Sequence, residues 1–238
     1  MRPAGGHQRA IVDDVPSEPR LLWCERSIGG PVTAFEFFFS FYGLLLGLSV
    51  AALVSGFAQV LHERDRVRFG WLTPMLAIFV ALDLATFWNQ AWVFFRGAPF
   101  NPVLLLIGLV IAATFYIAAS VTFPRVSAEG VEAQIDLDAH FWAHRRVVFG
   151  CVLAANALVW VLLGILAAAD PQWAAVWSPR LVAGVVIFAV ATATAAFAPS
   201  RKVVITALLI VLGYTLWNMA RAGAMLIAAG GWSPAVGS

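Results

Sequence analysis

Leu72–Phe95 reads LTPMLAIFVALDLATFWNQAWVFF, and Asp83 near its centre is the only charged side chain in it. As an α-helix rising 1.5 Å per residue, those residues extend about 36 Å, enough to cross a hydrocarbon layer of about 30 Å. Asp83 then lies about 18 Å from Trp71, close to the middle of the layer. Five further apolar stretches of comparable length, 35–61, 103–123, 147–169, 181–198 and 203–229, are separated by short polar turns. The expected fold is therefore all-α, a polytopic transmembrane helical bundle of about six spans with short connections.

Composition supports that class. Of 238 residues, 61% are hydrophobic and 12% charged, with a mean hydropathy of +0.85. Soluble domains carry about 25% charged residues, so these charges are too few to cover a water-facing surface. The 18-residue stretch 181–198, between Pro179 and Pro199, is the shortest candidate span. Residues 1–34 read as a polar, mobile N-terminal tail, 35–231 as the bundle, and 232–238 as a short C-terminal tail. Within the bundle, 124–146 reads as a connection with an interfacial helix. No cleavable signal peptide is expected, since the first apolar run begins near Phe35 and far exceeds 15 residues.

Orientation follows from the basic residues. With six spans, Arg64, Arg66, Arg68, Arg125, Arg145, Arg146, Arg201 and Lys202 fall on one side, whereas the two opposite connections hold Arg96 and Arg180. The positive-inside rule places the eight-charge side in the cytoplasm and both termini outside. The basic residues are dispersed at span ends, which suits lipid headgroups and argues against a nucleic-acid partner. Cys24 and Cys151 are the only cysteines, too few for a disulfide framework or a cysteine-rich metal site.

Ser40, Gly43, Gly47, Ala51 and Ser55 form a small-residue track on the first span, suited to close helix packing within the chain, against a second copy or against a membrane-protein partner. Asp83, Thr86 and Gln90 share a face of the second span, with Asn89 beside them. Tyr214, Asn218 and Arg221 share a face of the last. Depth along the axis makes Tyr214 the simplest partner for Asp83, and puts Arg221 level with Asn89 and Gln90 or reaching the headgroups. Tyr116 and Asn156 read as interhelical hydrogen-bonding groups. Asp136, His140 and His144, at four-residue spacing, are a lesser candidate for a divalent metal, because successive turns hold the donors about 6 Å apart. No cofactor is predicted.

The Arg-rich turn followed by the longer connection with Asp136, Asp138, His140, Phe141, Trp142, His144, Arg145 and Arg146 resembles small multi-pass proteins of bacterial inner membranes. The resemblance covers the span pattern and residues 136–146; it implies an inner-membrane location and carries no assigned chemistry. The leading functional expectation is binding or passage of a small solute or ion through the bundle, with the lipid bilayer as the constant partner. A non-transporting scaffold, assembly factor or sensor is the alternative. An intramembrane enzyme ranks third, for the polar groups show no catalytic spacing.

Overall fold

The computed structural model describes residues 34–95, 102–124, 134–174 and 176–229. Residues 1–33, the C-terminal tail, Arg96 and Arg125 lie outside the described residues. Among those described, the chain forms a bundle of α1 (Ala34–His62), α2 (Leu72–Phe95), α3 (Pro102–Thr122), α4 (Leu137–Ala169), a single turn α5 (Pro171–Ala174), α6 (Pro179–Phe197) and α7 (Arg201–Ala228). Six of these helices are long and apolar enough to cross a membrane. A parallel two-residue bridge joins β1 (Val67–Arg68) to β2 (Ile135–Asp136).

Local sequence fixes several helix ends. Asp136 caps α4, its Oδ1 accepting from the backbone N–H groups of Asp138 at 2.9 Å and Ala139 at 3.1 Å, which satisfies donors that the first helical turn leaves without partners. The Ser178 hydroxyl accepts from Leu181 N–H at 3.2 Å, and Pro179 supplies a preset φ at the start of α6. Asp170 and Ala198, each followed by proline, take extended backbone and end α4 and α6, because the proline ring disfavours helical geometry in the preceding residue.

α4 corrects the expected connection. Its 33 residues extend about 50 Å, and 137–146 are its first turns rather than a separate helix lying in the headgroup plane. Phe141 and Leu137 are fully buried there, and Trp142 is half-buried. Expecting a span of membrane thickness hid this, since a helix can continue past the lipid when protein neighbours cover its inner face.

α2 is central, packing against α1, α3, α4 and α7. Its apolar stretch has the lowest mean hydropathy of the six spanning helices, 1.4, yet the largest buried share, 44% against 33% or less in the others. Protein covers more of α2 than of any other spanning helix, so polar groups on its covered face cost less than on a lipid-facing one. Phe79, Val80, Leu84 and Phe87 form its inward face, with Phe79 packed on Phe149 and Phe188 and Phe87 edge-on to Phe115 at 4.6 Å. Outward residues such as Leu44, Leu48, Ile78, Leu106, Val161 and Leu209 are exposed, the pattern expected where the solvent is hydrocarbon.

The three arginine-rich connections meet at one end of the bundle. Ile135 N–H donates to Arg66 O at 3.0 Å, alongside the β1–β2 bridge. The Thr73 hydroxyl donates to Leu137 O at 2.6 Å. Asp138 joins three elements: Leu72 N–H donates to its Oδ1 at 3.3 Å, and Arg201 Nη2 lies 2.7 Å from its Oδ2. Gly70 is required beside it, for a Cβ there would collide with the Asp138 carboxylate. Arg145, one of the span-end charges expected at the lipid headgroups, is buried in the protein instead. Its Nη1 donates to Ala195 O at 3.2 Å and Ala198 O at 2.7 Å, and its guanidinium stacks on Trp142 at 4.1 Å. The carbonyl end of α6, with its partial negative charge, compensates the cation.

Candidate functional site

Asp83 projects from the central helix into the protein and is 5% exposed. Phe79 and Phe87 lie one turn below and above it on the same face of α2, so the carboxyl sits between two aromatic layers. Its partner is Asn156 of α4, also 5% exposed, whose Nδ2 donates to Asp83 Oδ2 at 3.1 Å and to Val152 O at 3.0 Å. Tyr42 of α1, 3% exposed, is within electrostatic range of Asp83. Two helices thus contribute a carboxyl and an amide to one enclosed polar contact.

Chemically, a carboxyl beside an amide can exist in either protonation state. As a carboxylate it accepts from the amide N–H, and as an acid it retains an acceptor oxygen while gaining a donor. Neither state leaves Asn156 without a bond. The low-dielectric surroundings make the difference between the two states large.

The structure separates the polar residues that sequence spacing grouped together. Thr86 is half-buried, and its hydroxyl donates to Leu82 O at 2.9 Å, one turn back on its own helix. Asn89 is exposed and Gln90 half-buried. Asp83 is joined by Asn156 rather than Tyr214. The Tyr214 hydroxyl lies against Gly184 of α6, at a position with no room for a side chain. Asn218 accepts from Arg180 Nη2 at 3.2 Å and donates to Tyr214 O at 2.9 Å, while Arg221 is exposed. Tyr116 is exposed as well.

Tyr42 was not singled out by the sequence, because one tyrosine beside an aromatic run carries no pattern. Asn156 was noted as a hydrogen-bonding group but not assigned to Asp83. Counting from Val147, it lies about 14 Å into its span, against about 18 Å for Asp83, so depth alone permits the pair.

On α1, Ser40, Gly47, Ala51 and Ser55 are exposed, and Gly43 alone of the track is buried, against the Trp88 indole. The packed face of α1 carries Tyr42, Leu46, Ser49, Leu53 and Val60 instead. At the arginine-rich end, Asp136 is the α4 cap. His140 Nε2–H donates to Val121 O at 3.0 Å, His144 Nδ1–H donates to His140 O at 3.1 Å, and the two rings stack with centroids 4.2 Å apart. Among the described residues no group of three or more His, Cys, Asp or Glu side chains is placed to hold a metal ion.

Comparison of the chain with protein-family models, curated proteins and solved structures returns no match.

Proposed function

We propose that this helical-bundle membrane protein binds a small ion within the bundle, that the ion is a proton, and that Asp83 carries it, coupling its movement to a small solute or ion. The observation behind this reading is the buried Asp83–Asn156 hydrogen bond between α2, the most enclosed spanning helix, and α4. Neutral side chains would suffice to clamp helices together, whereas a carboxyl in the membrane interior adds a titratable group at considerable cost. The enclosure favours a proton, which needs one carboxyl oxygen and no coordination shell. Release then requires α2 and α4 to separate far enough to admit water. In this reading the protein resides in a bacterial inner membrane with its arginine-rich end in the cytoplasm and both termini in the periplasm.

Infrared difference spectroscopy on the protein in lipid tests proton binding directly. A carboxylic-acid C=O band that disappears as pH rises, and that is absent from Asp83→Asn, is the expected result. A wild-type difference spectrum indistinguishable from that of Asp83→Asn would remove the proton from the proposal.

A second reading, a non-transporting scaffold, assembly factor or sensor, draws on the exposure of Ser40, Gly47, Ala51 and Ser55 along α1. Such a surface admits another helix at close range. Coimmunoprecipitation of a stable partner after mild solubilisation, together with an inert Asp83, would favour it.

A further inference from the structure

α6 and α7 pack together along their shared length, and the small Ala191 and Ala207, buried between them, leave a groove on the outer side. The turn Ala198–Ser200 joins them at the arginine-rich end, and the contact of Gly184 with the Tyr214 hydroxyl closes them further along. Between these lies a groove of about 510 Å³ on the outer surface, within the roughly 300–1,000 Å³ typical of small-molecule sites. Val186 and Val190 line it from α6, Val203 and Ile210 from α7, and Lys202 also lines it.

Three features identify the occupant. From Lys202 to Ile210 the groove runs about 12 Å along α7, close to the depth of one leaflet's hydrocarbon and well short of the full layer. A helix packed on the bundle would use a seam across the whole span; a lipid chain enters from one headgroup layer and stops near the midplane. The walls are almost wholly apolar. The charge at the mouth is positive and available: Arg201 is engaged by Asp138, whereas Lys202 makes no ion pair among the described residues. Lys202 is exposed and lies in the first turn of α7, where the helix dipole also favours a negative group.

We propose that this groove seats one acyl chain of an anionic phospholipid, with the lipid phosphate at Lys202. The site is separate from Asp83 and stands whether or not Asp83 carries a proton. The lipid links α6 to α7 at the end where the connections interlock.

Native mass spectrometry of the full chain, equilibrated in detergent with equal amounts of phosphatidylglycerol and phosphatidylethanolamine bearing identical chains, tests it. Wild type is expected to retain one phosphatidylglycerol in preference to phosphatidylethanolamine. Lys202→Ala is expected to lower that preference about fivefold, from one headgroup contact at a membrane surface, while retaining a chain. Val190→Trp, at a position 61% exposed and so outside the core, is expected to fill the groove and abolish retention of both lipids. Thr206→Trp fills it from α7 and serves as the second variant if the first misfolds. Unchanged phosphatidylglycerol preference in Lys202→Ala would overturn the headgroup assignment, and unchanged retention in a folded tryptophan variant would overturn the groove.

Discussion

Asn156→Leu is expected to destabilise the bundle by about 1–3 kcal/mol, the cost of leaving a buried polar group without its partner. The variant keeps a side chain of similar size on α4 but removes the N–H that reaches Asp83 Oδ2 at 3.1 Å. Both residues are 5% exposed, so bulk water does not replace the lost bond. The loss should not be read as the strength of the bond. Interhelical hydrogen bonds within membranes average about 0.6 kcal/mol in double-mutant cycles, and the remainder of the single-variant loss comes from the stranded carboxyl. Combining Asp83→Leu with Asn156→Leu should therefore recover most of the stability. Reversible unfolding in mixed micelles measures all four proteins of the cycle. Additive losses in the double variant would mean that the two side chains do not interact.

Arg145→Ala is expected to cost about 3 kcal/mol, since hydrogen bonds to charged groups contribute about 1.5–3 kcal/mol and this guanidinium makes two. Those bonds hold the first turns of α4 to the end of α6 through Ala195 O and Ala198 O. With the arginine gone, both carbonyls lose a buried donor, the α6 terminus loses its compensating charge, and the Trp142 ring loses its stacking partner. Arg145→Lys should recover only part of the loss: an ammonium can donate to two carbonyls as the single Nη1 does, but it is shorter in reach and has no planar face to lay on the Trp142 ring. Arg146, one position along and exposed, is the internal control: Arg146→Ala should leave the unfolding midpoint almost unmoved. Equal effects at 145 and 146 would contradict the buried role.

The six spans were legible because each is a predominantly apolar run of about membrane length. α2 begins and ends where the sequence places it, and the short fifth span, α6, starts at Pro179 itself and ends before Pro199. α4 was the exception. The acidic and basic residues of 137–146 read as a polar connection, although Asp136 before a helix-compatible run is itself a start signal. Asp83 was legible as an anomaly through its depth; its partner was not. Helices bathed in lipid are apolar around most of their circumference, so periodicity does not mark which face meets which neighbour. The grouping of Asp83 with Tyr214 rested on depth alone. Helix order and rotation, which bring Asn156 to Asp83 and turn Tyr214 toward Gly184, are properties of the packed bundle. Of the small-residue track only Gly43 marks the packed face of α1 within the chain; that face otherwise uses Tyr42, Leu46 and Leu53, whose shape complementarity no spacing rule encodes.

The central claim is that Asp83 carries a proton across the bundle interior. The most direct test is proton flux into proteoliposomes under an imposed pH gradient, with a panel of small solutes and monovalent ions, comparing wild type with Asp83→Asn after insertion and folding have been verified for both. The account predicts a wild-type flux that falls to the empty-liposome background in Asp83→Asn, because an amide cannot carry the proton. Equal fluxes in the two proteins, whether above background or at it, would contradict the claim and leave Asp83 as a fastening between α2 and α4.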